Sequence, residues 1–341
     1  MTDTAAQIPE PRADAPDRWA LPDLAARALG GAVLAANDES FAEKEHLIQP
    51  YPVVHAAHTF GAKGQVYDGW ETRRRRTDGH DWAIVRLGVP GVISAVAVDT
   101  AYFTGNYPPR VSVDACRADG HPAVADLLRA DWRTIVPVSD AKGDTRNEYD
   151  VDDPHRYTHV RLNLHPDGGV ARLRVHGTPV PDPAGFADLP LDLAALANGA
   201  AVTGASNAFY SNPTGAIMPG LPASQADGWE TARRRTPGHE WLDVRLAGRG
   251  VIRVAELDTT HLKHNAPGWA SLDARDGAES FPLLERTPLQ PDTPHRFVLT
   301  GDRPATSVRL NIFPDGGMAR LRLYGRLTPE ALRELETRFR A

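Results

Sequence analysis

Apolar and polar positions alternate with a period of two over much of this chain. Trp82, Ile84 and Arg86 interleave with Ala83, Val85 and Leu87, the pattern of a strand with one buried face. Residues 92–98 are apolar and rich in β-branched side chains. Residues 160–164 alternate into Pro166-Asp167-Gly168-Gly169, and 171–175 run on beyond it, which predicts a hairpin whose turn Asp and Gly supply. Many short strands split by Gly and Pro turns predict an antiparallel sandwich or jelly roll. Helix is scarce. Short helices are expected over 23–29, ended by Gly30-Gly31, and over 192–197. A longer one is expected over 329–340, where Thr328 caps, Pro329 suits the first turn and Leu332, Leu335 and Phe339 form a stripe.

The pattern occurs twice. Asp68-Gly69-Trp70-Glu71-Thr72 returns as Asp227-Gly228-Trp229-Glu230-Thr231. The same spacing carries Arg74, Arg75, Arg76, Gly79, His80 and Trp82 onto Arg233, Arg234, Arg235, Gly238, His239 and Trp241. It also carries Asp99-Thr100 onto Asp258-Thr259 and Asn106 onto Asn265. The spacing is longer upstream and shorter downstream, where Arg161-Leu162-Asn163 and the Pro-Asp-Gly-Gly turn match Arg309-Leu310-Asn311 and Pro314-Asp315-Gly316-Gly317. Stepped spacings in preserved order mean duplicated domains with loops of changed length. The reading is all-β: two tandem sandwiches over 21–178 and 179–327, a loose tail over 1–20, a linker over 177–190 and a terminal helix over 328–341.

Composition narrows the function classes. The length, 341 residues, suits two domains. The first twenty residues lack a basic start and an apolar run, so they do not read as a signal peptide. No stretch approaches about 20 uninterrupted apolar residues, which argues against a membrane helix. One cysteine, Cys116, has no internal disulfide partner, which fits a reducing cytoplasm. A net charge of −6 argues against wholesale nucleic-acid binding.

The doubled motifs carry a resemblance. Asp-Gly-Trp-Glu-Thr-Arg-Arg-Arg-Arg-Thr, then Gly-His-Asp-Trp, then Asp99 to Pro108, with the Arg-Leu-Asn-x-x-Pro-Asp-Gly-Gly segments, resemble the allantoicase family over nearly the whole chain after residue 20. The resemblance implies discoidin-type, galactose-binding-like jelly rolls. It implies hydrolysis of allantoate to ureidoglycolate and urea, with allantoate as small-molecule partner, and assembly as a homo-oligomer. The second repeat departs from the family pattern, with Leu262 where Phe is expected and His264 where Gly is expected.

Allantoate is a carboxylate whose α-carbon carries two ureido groups. Its hydrolysis needs a cation for the carboxylate, a general acid for the departing urea, a base for water, and hydrogen-bond partners for the ureas. The candidate catalytic residues are Glu71, His80 and Asp99 in the first repeat and Glu230, His239 and Asp258 in the second. The candidate substrate-binding residues are Asp68, Arg75, Tyr102 and Asn106, with Asp227, Arg234, His261 and Asn265. In the run Arg73–Arg76 only every second side chain of a strand faces one way, which favours Arg75 and Arg234 or a neighbour. Trp70 and Trp82 read as core or wall, Asp167 and Asp315 as turn residues, and Asn163 and Asn311 as core amides.

No cofactor is implied with certainty. A divalent metal stays open, because carboxylates and histidines from separate loops could converge, although no His-Glu-x-x-His spacing occurs. No Gly-x-Ser-x-Gly elbow occurs either. The alternative reading is a tandem discoidin-like module that binds a small molecule or carbohydrate without catalysis. The uneven drift of the strand-end loops, Tyr102 to Gly105 against His261 to His264, predicts that the two pockets are no longer equivalent and that the repeats share the work.

Overall fold

A computed structural model describes residues 17–55, 59–187 and 189–341. The expected tail lies mostly outside the described residues. Its end is held: a 3-10 turn at Arg18–Ala20 places the Arg18 guanidinium against the Ser94 and Val151 carbonyls and Asp152.

Each repeat is organised by one long strand, Asp81–Asp99 in the first and Glu240–Asp258 in the second, each of 19 residues. In the first repeat the alternating run 82–87 and the apolar run 92–98 are the halves of this single strand. The first half pairs antiparallel with Ala32–Ala36 and Arg156–His165, and the second half with Arg172–Pro179 and Arg146–Asp150. The register shifts between Arg86 and Gly91, where the strand passes from one layer to the other. Gly91 permits that bend: a Cβ there would lie 2.3 Å from the Thr178 carbonyl oxygen. Arg110–Cys116 and Arg133–Asp140 extend the first layer.

The second repeat copies this plan. Ala201–Ala205 and Ala305–Phe313 flank the first half of its long strand, while Arg320–Leu327 and Pro294–Val298 flank the second. Between the layers lie Val98, Val113, Val160, Leu162 and Leu173 in one repeat and Leu257, Leu272, Leu310, Ile312 and Leu321 in the other, all buried. The architecture is therefore the expected pair of antiparallel jelly rolls.

Three local expectations are corrected. The predicted hairpin is not one: Arg156–His165 and Arg172–Pro179 pair with opposite halves of the long strand, not with each other. The Pro-Asp-Gly-Gly segment crosses between the layers, and Gly169–Val170 pairs with Trp70–Glu71. The second glycine is required by that crossing, since a Cβ on Gly169 would lie 2.1 Å from the Phe103 ring. The two short helices are only 3-10 turns, Arg27–Leu29 and Leu196–Asn198, each stopped by a glycine at positive φ. The linker begins later than expected, because residues through Pro179 finish a strand, and Phe186 within it is buried.

The terminal helix Pro329–Arg340 forms as read, with the Thr328 hydroxyl accepting from the Ala331 amide. It reaches back onto the first repeat. The Phe339 ring lies 4.0 Å from the Arg156 guanidinium carbon, and Arg338 donates to the Pro179 carbonyl at 3.0 Å.

Trp70 and Trp229 have no exposed surface. Their indole nitrogens donate to the Asp38 and Asn207 carbonyls, each at 2.8 Å. Truncating such an anchor leaves a large cavity, so Trp70→Ala should cost roughly 3–5 kcal/mol in urea unfolding. A loss below about 1 kcal/mol would show that the indole is not the anchor described.

Candidate active site

The duplicated Asp-Gly-Trp-Glu-Thr segment places a glutamate next to a buried indole. In the first repeat Glu71 follows Trp70 on the short strand bonded to Gly169–Val170, and its side chain is turned into a cavity of about 540 Å3. Phe41, Thr72, Arg74, Arg75, Asn106 and Tyr107 form much of the lining. Asn106 Nδ2 donates to Glu71 Oε1 at 2.5 Å. Among the described residues no protein group donates to Oε2. Burial raises the pKa of Glu71 above the ordinary carboxylate range, and the Asn106 hydrogen bond only partly opposes it.

The arginine run is not a strand, so its side chains do not alternate. Arg74 and Arg75 both line this cavity and a second one of about 420 Å3 beside it. Their neighbour Arg73 is paired with Asp38 at 2.8 Å. The Arg75 backbone amide donates to Asp167 at 2.8 Å, and its Nη1 to Asp81 at 3.2 Å. Its Nε is buried without a hydrogen-bond partner. Arg74 is exposed and makes no ion pair among the described residues. Two cationic side chains therefore border one carboxyl whose pKa burial raises, and both retain unused donors.

The second repeat keeps the frame but fills the donors and acceptors. Asn265 Nδ2 donates to Glu230 Oε1, and Gln225 Nε2 donates to Glu230 Oε2 at 2.7 Å. Arg234 is anchored by its backbone to Asp315 at 2.7 Å. Its Nε donates to Glu240 at 2.9 Å, and its Nη1 to Thr236 and the Pro237 carbonyl.

The remaining expected residues sit outside the Glu71 cavity or within the scaffold. Asp68 accepts from Arg172 at 2.7 Å and contacts His46 at 2.8 Å, while Asp227 accepts from the Ala223 amide at 2.7 Å. Asp99 and Asp258 close turns onto the Ala101 and Thr260 amides. Tyr102 and His261 occupy matching positive-φ positions held by Asp144 and Asp292. Tyr102 stacks on His55, and His261 contacts the Pro222 carbonyl. His80 lies against His165 with ring centroids 4.8 Å apart. His239 contacts Asn311 Oδ1 at 3.1 Å. Both core amides donate twice, Asn163 to Ser112 and Asp114 and Asn311 to Ser271 and Asp273. Among the described residues no three His, Cys, Asp or Glu side chains converge as a metal site.

Several site residues were not singled out from the sequence. Arg74, favoured by the sequence only as a neighbour of Arg75, lines the cavity beside it. Asp167 and Asp315, read as turn residues, also fix the arginine backbones. Tyr107, which lines the first cavity, aligns with Ala266, so the repeat gave it no support. Gln225 aligns with Val66 and is visible only as a difference between the repeats.

Residues 22–180 and 191–328 each match the allantoicase repeat model. The chain belongs to the allantoicase family. The probable allantoicase of Nocardia farcinica is 53% identical over 96% of this chain and 99% of its own length. That of Streptomyces coelicolor is 49% identical over 93% of this chain and 88% of its own. The crystal structure of allantoicase from Saccharomyces cerevisiae superposes with a TM-score of 0.78 at 32% identity, covering 89% of this chain and 92% of that one. The family match thus spans both jelly rolls and both glutamates.

The Asp68–Arg172 pair tests the frame beneath the site. Burial works against the Asp68 charge, but Arg172, the Val54 amide and His46 outweigh it and hold its pKa at about 2. A depressed folded-state pKa stabilises the fold above the ordinary Asp range, and that stabilisation is lost as pH falls toward 2. Asp68→Asn leaves the Arg172 charge buried and should cost about 3 kcal/mol at neutral pH. The penalty should shrink below pH 4 in denaturant titrations, and a pH-independent penalty would contradict the pairing.

Proposed function

We propose that this chain hydrolyses allantoate to ureidoglycolate and urea in the cavity of the first repeat, with Glu71 as the proton carrier. The observation that carries the assignment is the geometry at Glu71. It is a buried carboxyl with one oxygen held by Asn106 and the other without a protein donor among the described residues, in a side chain that lines a cavity with Arg74 and Arg75. Arginine matches a carboxylate bidentately, so Arg74 supplies the cation for the substrate's own carboxylate. Arg75, which lines the same cavity, supplies a guanidinium donor for a urea carbonyl.

The chemistry then needs few groups. The retained ureido nitrogen donates its lone pair to the α-carbon, and the bond to the other ureido nitrogen breaks. The proton on Glu71 moves to the departing nitrogen, which leaves as neutral urea. Water adds to the imine-like carbon and returns a proton to the Glu71 carboxylate, restoring the acid. Raising the carboxyl pKa brings it closer to the working pH, which is where an acid that must also serve as base is most effective.

We further infer a homo-oligomer working in the cytoplasm. Phe209 and Tyr210 are mutually packed yet 69% and 64% exposed, which favours a self-contact. Cys116 is a single free thiol with no cysteine to pair with, which suits a reducing compartment. No helix among the described residues is long and apolar enough to cross a membrane.

Incubation with allantoate should release urea and ureidoglycolate in equal amounts without ammonia. Absence of urea across pH and with added divalent metal would contradict the assignment, and binding without turnover would favour the non-catalytic module. Glu71→Gln removes the proton and should lower kcat by about 100- to 10,000-fold with little change in KM. In the native chain kcat should fall as pH rises through the Glu71 pKa. A Glu71→Gln variant within tenfold of native would exclude the role. Light scattering should give a multiple of 37.0 kDa, and a monomer at micromolar concentration would overturn the oligomer.

A further inference from the structure

The two repeats keep the same glutamate, asparagine and arginine, yet they leave them in opposite states. In the first, Glu71 Oε2 and Arg75 Nε have no protein partner among the described residues, and Arg75 Nε is buried. In the second, Glu230 Oε2 is taken by Gln225 and Arg234 Nε by Glu240. We propose that only the first repeat turns over substrate, and that Gln225 and Glu240 are the residues that close the second pocket. The proposal rests on reading Glu71 as the proton carrier.

Each closure has a definite cause in the sequence. Gln225 stands where the first repeat has Val66, a side chain with no polar atom, 44% exposed. It sits in a 3-10 turn, Gln225–Asp227, fixed by a capping box between Ser224 and Asp227. That turn aims its amide at the glutamate five residues later. Two amide N–H groups, one on each oxygen, complement a carboxylate. They leave neither oxygen available to hold a proton toward a ligand. A buried carboxyl with one such donor, as at Glu71, keeps that oxygen.

Glu240 stands where the first repeat has Asp81. Asp81 reaches only Nη1 of its arginine, at 3.2 Å. The extra methylene of Glu240 brings its Oε1 to Nε at 2.9 Å. Its other oxygen is held by Ser206 at 2.5 Å, so the carboxylate cannot swing away. A ligand entering this pocket would have to displace two charge-assisted contacts before gaining any, whereas in the first repeat Glu71 Oε2 is engaged by no protein donor among the described residues.

The rim has changed in step. Tyr107 and Pro109, which line the first cavity, are replaced by Ala266 and Gly268. The Arg73–Asp38 ion pair is replaced by Ala232 and Asn207, whose contact is a backbone amide to Asn207 Oδ1 at 3.0 Å. The Glu–Asn contact survives in both repeats, while Tyr107, Pro109 and the Arg73–Asp38 pair beside the cavities occur in the first alone, which is the pattern expected when only one pocket is under demand for chemistry.

The test uses the full chain. Three variants are assayed for urea release per chain: Glu71→Gln, Glu230→Gln, and Glu71→Gln combined with Gln225→Val and Glu240→Asp. Thermal unfolding and circular dichroism confirm each fold. The proposal expects at least a 100-fold loss for Glu71→Gln and less than a twofold change for Glu230→Gln. It expects at least a tenfold recovery in the triple variant as the second pocket opens. Half activity in Glu71→Gln, more than a tenfold loss in folded Glu230→Gln, or a folded triple variant without recovery would each overturn it. A native chain that releases no urea would count against the hydrolysis itself. Calorimetric titration with allantoate then decides the asymmetry: one site per chain supports it, and two equal sites overturn it.

Discussion

The Trp70 indole lies wholly within the first sandwich, with its one N–H spent on the Asp38 carbonyl. Everything at the site is referred to that ring. Asp38 also accepts from the Arg73 amide, and the next residue after Trp70 is Glu71. Burying the ring fixes the direction in which Glu71 leaves the backbone. The bridge to Gly169–Val170 fixes its height above the core. Asp167, on the same crossing segment, then holds the Arg75 backbone. A single apolar anchor thus sets the separation between a buried acid and its flanking guanidinium groups, and none of those groups needs to supply fold stability itself. Trp229 repeats the arrangement with Asn207, Glu230 and Asp315.

Duplication makes the cost of function visible, because the second repeat shows what the same frame becomes when its polar groups are satisfied internally. A buried donor without a partner costs free energy, typically about 1–3 kcal/mol. The first repeat retains such a donor in Arg75 Nε, and the second has removed it through Glu240. The contrast is internal to one chain, so composition, solvent and overall fold are shared by the two pockets being compared.

Much of the fold was legible because it depends on local rules. The repeat, the strand-rich sandwich class and the terminal helix with its Thr328 cap followed from periodicity, turn residues and capping, while the fusion of two short runs into one 19-residue strand did not. The crossing at Pro166 to Gly169 did not, since strand-turn-strand patterns look alike whether the strands pair with each other or with opposite halves of a third. At the site, the motif pointed to Glu71, Asn106 and Arg75, which the structure brings to one cavity. It also pointed to Asp68, Asp99 and Tyr102, which serve a buried ion pair, a turn and an aromatic stack. Identity between repeats cannot separate those classes, because scaffold and site are duplicated together. The run of identical residues left open which arginine faces the cavity, and Gln225 was hidden in a position where the repeats disagree.

The account places the substrate in one cavity of one repeat, and a ligand-bound structure addresses that most directly. Crystals of Glu71→Gln grown with allantoate should show the molecule in the first-repeat cavity. Its carboxylate should be against Arg74 and a ureido group within hydrogen-bond reach of residue 71 and the Arg75 guanidinium, and the second-repeat pocket should be free of ligand. Density for allantoate between Gln225 and Arg234, or at a position remote from both glutamates, would contradict the account.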